Sequence, residues 1–167
     1  LNLILIGEAA IHFRDTETRR ICLGIWDEDK DGYITVEEAG IEHLITASTF
    51  SKNTKITTFD EFKYLNYITS SNSLFYGCTA LRSIELPEQI GYQFFMGCTS
   101  LERCIIGSAC PAISKWAFCE CIKLREISIP ESVTTINSGA FQGAGISRFV
   151  YPSNVTKIDG FSDNPNL

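Results

Sequence analysis

Oxygen-bearing side chains recur at every second position in one short stretch of this 167-residue chain. Asp27, Asp29 and Asp31 bring three carboxylates together, and Gly32 follows at the point where the chain must turn sharply. Ca²⁺ is a hard cation that binds roughly six to eight oxygens, so this spacing suits it. The candidate metal ligands are Asp27, Asp29, Asp31, Tyr33, Thr35 and Glu38.

The order of these residues matches a twelve-residue EF-hand loop from Asp27 to Glu38. In such a loop Tyr33 binds through its backbone carbonyl, Thr35 binds directly or through water, and Glu38 closes the site with both carboxylate oxygens. The alternative is an acidic turn that binds no metal. EF-hand sensors usually work in pairs, so a single loop is expected to hold Ca²⁺ for stability and not to act as a switch.

The loop needs elements on both sides to hold it. Asp15 is placed to cap a helix that ends at about Trp26. A second helix is predicted from about Val36 to Ile45, which places His43 on that helix. His12 falls in a predicted strand, and both histidines are expected to be packing or surface residues and not catalytic bases.

A second pattern is an internal repeat. Four phenylalanines, 20, 23 and 23 residues apart, each open nearly the same segment of sequence. They are Phe75, Phe95, Phe118 and Phe141. A repeat of this length cannot bury its own apolar face, so successive repeats must stack into a solenoid. A solenoid offers a long surface and few deep pockets, which favours binding over catalysis.

Each repeat contains two apolar runs. The first follows Leu-x-x-Ile-x-Leu, as in Leu81–Leu86, and predicts a short strand that ends at a Pro or Gly. The second run, as in Val133–Ile136, leads back to the next phenylalanine. We call this second part the return segment. The return segment between Pro87 and Phe95 is three residues shorter than the others and is expected to be pinched.

The repeats resemble the BspA-like leucine-rich repeat family of bacterial surface proteins. The resemblance depends on Gly97–Leu101 and on Pro130–Phe141, and covers roughly residues 70–161. Residues 11–65, with the calcium-type loop, resemble the leader before such repeats. The repeat pattern is broken where Glu120 replaces Gly and Ala144 replaces Cys. The resemblance implies a secreted or lipid-anchored protein, extracellular or on the bacterial cell surface, that binds matrix proteins, glycans or other proteins.

The expected fold class is therefore α+β: a short leucine-rich-repeat solenoid with parallel strands, preceded by a helical EF-hand-like cap. We divide the chain into residues 1–66, the cap with an irregular first repeat, and residues 67–167, the leucine-rich repeats. In the irregular repeat, Ile56 and Phe59 imitate the strand, and Asp60 is expected to cap a one-turn helix.

Seven cysteines are present, an odd number that argues against a complete disulfide framework. Cys78, Cys98 and Cys121 lie three residues after successive phenylalanines, which predicts a ladder of buried thiols. Metal binding by the thiols is disfavoured because no CxxC pair occurs. Cys119 should point away from the ladder, and a bridge between Cys110 and Cys119 stays open at this stage.

Residues expected to face solvent on successive strands alternate in charge. The two rows are Arg82–Glu102–Arg125 and Arg103–Glu126–Arg148. Parallel strands lie about 4.8 Å apart, so each row is expected to neutralise itself. Ile105 and Val150 fall on the same face and are the first candidates for a binding surface.

Composition narrows the function further. A net charge of −6 without a Lys/Arg cluster makes nucleic acid a poor partner, and no apolar run reaches the roughly 20 residues of a membrane span. No catalytic motif is found, so we predict a non-enzymatic, monomeric module that binds an extracellular protein or glycan. The alternatives are a structural spacer or end-cap module of a larger surface protein, and a hydrolase with two facing carboxylates. The chain begins without Met, as expected of a segment cut from a longer protein.

Overall fold

Short parallel strands form the frame of the molecule in the computed structural model, which describes residues 9–69, 72–87 and 90–161. The strands are β1 His43–Ile45, β2 Thr58–Phe59, β3 Tyr67–Thr69, β4 Ser83–Glu85, β5 Arg103–Ile105, β6 Ala112–Ile113, β7 Thr135–Ile136 and β8 Lys157–Ile158. The helices are α1 Thr16–Trp26, α2 Val36–Gly40, α3 Ala47–Phe50 and a 3₁₀ helix, Asp60–Tyr64.

The first apolar run of each repeat builds one sheet, in the order β2-β4-β5. Phe59 pairs with Ile84, and Ile84 pairs with Cys104, so equivalent positions of successive repeats lie side by side. Single bridges continue the row from Ile105 to Ser128 and from Ser128 to Val150. The predicted parallel solenoid is confirmed, and Leu81, Leu101 and Leu124 are all fully buried.

The return segments build a second parallel sheet, in the order β6-β7-β8. Ile113 pairs with Ile136, and Ile136 with Ile158. Of the shortened return segment, the structure describes Pro87 and residues 90–95, and Ile90 still bridges to Ile113. Three missing residues therefore shorten the segment without removing its contact with the next repeat.

A column of phenylalanine rings runs through the middle of the solenoid. Phe75 and Phe95 stack with their centroids 5.5 Å apart, and Phe118 and Phe141 stack at 5.3 Å. The column extends past the repeats found from the sequence: Phe50 stacks on Phe75 at 5.2 Å. At the other end Phe161 stacks on Phe141, also at 5.2 Å. The irregular first repeat is thus a full member of the stack.

The same backbone turn recurs two residues after each phenylalanine of the column from Phe50 to Phe141. At this position φ is positive in five repeats: Lys52 (58°), Gly77 (68°), Gly97 (76°), Glu120 (61°) and Gly143 (65°). This left-handed region is easily reached by glycine and disfavoured for other residues. Glu120 therefore departs from the repeat pattern in residue type while it keeps the pattern's backbone conformation.

The cap begins as predicted and then differs. Helix α1 ends at Trp26, and Asp15 caps it by accepting hydrogen bonds from the backbone N–H of Glu17 and Thr18. The predicted second helix is wrong in its length, because α2 ends at Gly40 and not at Ile45. His43 lies in β1, which pairs with β3 through His43 and Tyr67.

The spacing of the repeat explains why a strand stands where the end of the second helix was predicted. Ile45 precedes Phe50 by five residues, as Ile113 precedes Phe118, so β1 is the return segment of the first repeat. The strand predicted at His12 is also wrong: residues 11–13 have no regular structure, and His12 is exposed.

The expected cap at Asp60 is wrong as well. Asp60 is the first residue of the 3₁₀ helix, and no side chain caps that helix. Its carboxylate lies instead 3.3 Å from the guanidinium of Arg103. An ion pair to a strand residue therefore replaces the helix cap. The division of the chain after residue 66 stays a prediction.

The thiol ladder is confirmed. Cys78, Cys98 and Cys121 are fully buried. The Cys78 thiol donates to the carbonyl of Phe50 at 3.1 Å, and the Cys98 thiol donates to that of Phe75 at 3.0 Å. All seven cysteines are free, which rules out a bridge between Cys110 and Cys119 in this structure. Each ladder thiol thus bonds the preceding turn of the column.

Candidate functional site: the acidic loop and the strand face

The acidic loop between α1 and α2 gathers three of the predicted ligands. Oxygens of Asp27, Asp29 and Glu38 all lie within 4.8 Å of one another. Among the described residues, this is the group of acidic, histidine or cysteine side chains arranged to hold a metal ion. Asp31 does not belong to the group. Its Oδ1 accepts a hydrogen bond from the Tyr33 N–H at 2.8 Å.

Hydrogen bonds inside the loop fix the carboxylates. The Gly32 N–H donates to Asp27 Oδ2 at 3.1 Å, and the Asp31 N–H donates to Asp29 Oδ1 at 3.0 Å. Gly32 has φ +89°, a value that glycine adopts without strain. The sharp turn predicted at this residue is therefore present. At this turn the Gly32 N–H points back to Asp27, the first residue of the loop.

Glu38 joins the end of the loop to its beginning. Its Oε2 accepts from the Thr35 N–H at 2.8 Å, and its Oε1 accepts from the Glu28 N–H at 2.9 Å. The hydrogen bond from the Thr35 backbone is the main reason that the pKa of Glu38 lies below its ordinary value. Thr35 also caps α2 through a capping box with Glu38. The carboxylate is thus held ionised at the place where a loop-closing ligand belongs.

One oxygen in the loop has no partner. Asp27 Oδ1 is buried and makes no hydrogen bond to any described residue. A buried carboxylate oxygen without a partner is costly, and most such groups in folded proteins are satisfied by a donor or an ion. The donor set of the loop, three carboxylates with one oxygen unsatisfied, therefore fits a hard cation such as Ca²⁺.

A backbone segment of the cap takes the place of a partner loop beside Ile34. Ile34 is buried, and its carbonyl accepts from the Ile11 N–H at 2.8 Å. Ala10 forms an antiparallel bridge with Thr35 next to it. A lone EF-type loop would leave this edge unpaired, and the chain before α1 covers it.

The loop is tied to the first repeat through partly buried hydrogen bonds. Trp26, at the end of α1, donates its indole N–H to the Asn66 carbonyl at 3.0 Å. The Asn66 N–H donates to the Ala39 carbonyl of α2 at 2.7 Å. At the other end of α1, Asp15 Oδ2 accepts from the Thr57 N–H at 3.0 Å. Both ends of the helix before the loop are therefore fixed to the solenoid.

The solvent side of the first sheet carries the two predicted apolar residues in one row. Ile105 is 43% exposed and Val150 is 64% exposed, and both bridge to Ser128 between them. We call these three residues the strand-face row. Ile105 and Val150 are thus brought together by the register, as expected from the repeat.

The charges on this face pair differently from the expected rows. Arg103 forms ion pairs with Glu85 at 2.6 Å and with Asp60 at 3.3 Å, and not with Glu126 on the next repeat. Glu85 also pairs with Lys63. The pairs therefore run back toward the cap, because the 3₁₀ helix brings Asp60 and Lys63 beside β4 and β5.

Sequence reasoning missed a groove of about 720 Å³ between the cap and these strands. Its polar lining includes Asp60, Glu61, Glu85, Lys63 and Arg103. Lys63 is the main reason that the pKa of Glu85 is lowered. A two-carboxylate hydrolase needs one carboxyl group with a raised pKa to act as the acid. Glu85 does not meet that requirement, because its ion pairs with Lys63 and Arg103 favour its ionised form.

A signal for the groove was present in the repeat. Glu61 follows Phe50 by eleven residues, the spacing at which Leu86 follows Phe75 and Ile106 follows Phe95. A carboxylate at a position that is otherwise apolar marks a place where the repeat has been adapted.

Comparison with known proteins identifies the solenoid. The family model for the BspA type leucine rich repeat region matches residues 43–166 in six copies. The chain belongs to this family. The match begins at β1, in agreement with the assignment of this strand to the first repeat. No match was found among curated proteins.

The solved structures that are similar to the chain include two leucine-rich repeat proteins. A leucine-rich repeat protein from Bacteroides ovatus shares 27% identity with a TM-score of 0.53, over 56% of this chain and 25% of that protein. The leucine-rich repeat protein of T. pallidum shares 26% identity with a TM-score of 0.56, over 72% of this chain and 56% of that protein. This chain therefore spans a quarter to about half of the length of these relatives. In the described part of the chain, no helix has the length and apolar character needed to cross a bilayer.

Proposed function

We propose that this chain is a non-enzymatic, calcium-stabilised binding module of an extracellular or bacterial cell-surface protein. The observation that carries the proposal is the strand-face row, in which the parallel register places exposed Ile105 and Val150 on either side of Ser128. Leucine-rich repeats offer extended faces of this kind to protein partners. The expected partner is an extracellular protein or glycan, with the module itself a monomer.

The binding proposal is tested by placing a charge in the row. Ile105→Asp and Val150→Asp should abolish capture of any ligand found on a panel of extracellular matrix proteins and glycans. Ile122→Asp is the matched control, because Ile122 is 52% exposed and lies in a turn outside the row. Equal binding by all three variants would show that the row is not the contact surface.

A structural spacer or end-cap module is the second candidate. The row contains two apolar residues, which is a small number, and isolated apolar side chains occur on any protein surface. This second function predicts that neither the wild-type chain nor the variants of the row capture a ligand from the panel.

We further propose that the acidic loop binds Ca²⁺. Asp27, Asp29 and Glu38 would hold the ion with their carboxylates, together with Asp31, Thr35 and the Tyr33 carbonyl. The support is the grouping of three carboxylates and the unpartnered Asp27 Oδ1. A hard cation would neutralise these carboxylates and satisfy that oxygen.

The expected effect on stability follows from mass action. Extracellular calcium modules have dissociation constants of about 10⁻⁴–10⁻³ M. At about 2 mM Ca²⁺ and a dissociation constant of about 0.1 mM, binding stabilises the fold by about 1.8 kcal/mol. For a chain of this size that corresponds to a rise of about 4–7 °C in melting temperature.

Calorimetry with and without Ca²⁺ tests the loop. Asp27→Ala and Glu38→Ala should each remove the calcium-dependent rise in melting temperature. Glu37→Ala, an exposed neighbour that belongs to neither the ligand set nor the capping box, should keep it. A calcium response that survives in both ligand variants would refute the assignment.

A further inference from the structure

The charged side chains that line the groove beside the 3₁₀ helix are exposed to very different degrees. Its carboxylates are the less exposed groups: the side chains of Asp60 and Glu85 are 17% and 14% exposed, and Glu61 is buried. Its cations reach further into solvent, with side-chain exposures of 76%, 48% and 37% for Arg14, Arg103 and Lys63. A ligand that enters the groove therefore meets guanidinium and ammonium groups before it meets a carboxylate.

The ion pairs of the groove leave one of these cations nearly free. Arg103 pairs with Asp60 at 3.3 Å and with Glu85 at 2.6 Å, and Lys63 also pairs with Glu85. Arg14 comes no closer than 3.9 Å to Asp60, and its guanidinium donates no hydrogen bond to any described residue. The two guanidinium groups approach different oxygens of the Asp60 carboxylate, so they flank the same side chain. A guanidinium group has five N–H donors, and those of Arg14 are left for a ligand.

We propose that this groove binds a carboxylate group, as on a glutamate side chain of a protein partner, with Arg14 as its main donor. A carboxylate is planar and accepts two parallel hydrogen bonds from a guanidinium group, which makes such pairs stronger and more specific than single hydrogen bonds. Arg103, on the other side of Asp60, adds a second positive charge near the ligand. A cationic ligand fits less well, because the exposed cations of the groove would repel it.

The remaining walls suit the alkyl stem of an acidic side chain. Ala9, Ala10 and Ile11 line the groove from the cap, and Val36, at the start of α2, adds an exposed apolar side chain. The two methylene groups of a glutamate stem can cover such a surface. A sugar ring would need side-chain partners for several hydroxyl groups, and these four residues offer none. The groove therefore suits an acidic segment of a protein better than an acidic glycan.

The groove is distinct from the strand-face row, so a small probe tests it independently of any strand-face ligand. The probe is Nα-acetyl-L-glutamic acid N-methylamide, titrated into ¹⁵N-labelled protein and followed by the chemical shifts of the backbone amides and of the Arg14 Nε–H. Its glutamine counterpart has nearly the same shape without the charge. The glutamate probe should bind about tenfold more tightly, as expected for hydrogen bonds between charged groups. Methyl β-D-glucuronide carries the same carboxylate on a sugar ring and should bind more weakly than the glutamate probe.

Arg14→Gln should weaken binding of the glutamate probe by about tenfold. The melting temperature should stay close to that of the wild type, because this side chain is exposed. Arg148→Gln is the matched control, since Arg148 is exposed and lies outside the groove. The shifts should centre on Arg14 and on residues 60–64. The proposal is overturned by equal affinity for the glutamate and glutamine probes, by unchanged binding in Arg14→Gln, by tighter binding of the glucuronide, by shifts centred elsewhere, or by no detectable binding.

Discussion

Replacement of Glu120 by glycine is expected to stabilise the protein. Glu120 has φ 61°, and its equivalents Gly77, Gly97 and Gly143 have φ values of 68°, 76° and 65°. A side chain in this left-handed region costs roughly 1–2 kcal/mol. Glycine removes that cost, but it also gives the unfolded chain more freedom, which opposes the gain by about 0.4–1 kcal/mol. The net expectation for Glu120→Gly is a gain of about 0.5–1 kcal/mol.

Replacement of Gly97 by a residue with a side chain is expected to destabilise the protein. A Cβ built on Gly97 would lie 3.8 Å from its nearest neighbouring atom, the Cα of Gly77, so space is not limiting. Gly97→Ala should therefore report the backbone cost alone, a loss of about 0.5–1 kcal/mol. The two variants should change the free energy of unfolding in opposite directions for the same reason, which makes the pair more informative than either change alone.

Urea unfolding under reducing conditions measures both variants. The slope of the free energy against urea should stay the same, because neither change alters the surface that is buried. Lys123→Gly is the control: Lys123 lies in the following turn without a positive φ, so glycine there should cost about 0.4–1 kcal/mol. A loss of stability in Glu120→Gly as large as that in Lys123→Gly would refute the assignment of backbone strain.

Three further outcomes are expected. Asp15→Ala should cost about 2–4 kcal/mol through its lost helix cap and its bonds to Thr57. Burial raises the pKa of Asp15, but the hydrogen bonds to its carboxylate outweigh burial and lower that pKa below 3.8. The difference in stability between Asp15→Ala and the wild type should therefore shrink when urea unfolding is repeated below about pH 4. Burial raises the pKa of the Cys98 thiol well above its ordinary value, so thiol reagents should label it only as fast as the chain unfolds. Calcium should slow hydrogen exchange around Asn66 and Thr57 more than around Phe141.

The stack of repeats could be predicted because its signal is strong and local. A phenylalanine every 20 or 23 residues identifies one ring of the column, and the structure places these rings 5.3–5.5 Å apart. The interior position of Cys98 followed from the same register. A position that recurs in every repeat packs against the same position of the next repeat. A residue type that is usually buried therefore predicts burial of that position in all the repeats.

The first repeat could not be recognised in full because its return strand lacks the apolar pattern. In β1, His43 is half-buried and Leu44 is 68% exposed, and Ile45 alone is buried. A three-residue strand with one buried side chain looks the same as the end of a helix. Only the five-residue spacing between Ile45 and Phe50 distinguishes the two, and Phe50 had not been recognised as a member of the column.

The ligands of the acidic loop could be predicted from the sequence, but the segment that covers the loop could not. Asp27, Asp29 and Glu38 were predicted from their order alone, and the structure brings their oxygens together. The strand partner of Ile34 could not be predicted, because Ile11 belongs to a segment with no regular structure. Loop ligands are set by local spacing, whereas the segment that covers the loop is set by the whole cap.

The cap and the first repeat together solve a problem that every solenoid has at its end. Each inner ring of the column packs on a ring above and a ring below, but among the described residues Phe50 has a stacked column neighbour on one side, at Phe75. Phe59 and Phe62 pack against the edge of the Phe50 ring, with ring centroids 5.4 and 6.2 Å away, and both also contact Phe75. The stability of a solenoid is close to a sum of terms between neighbours, so cover at the end acts most strongly on the repeat beside it. The loop reaches that repeat through Trp26 and Asn66, which makes the end of the stack, and not its middle, the part that a cation in the loop would stabilise.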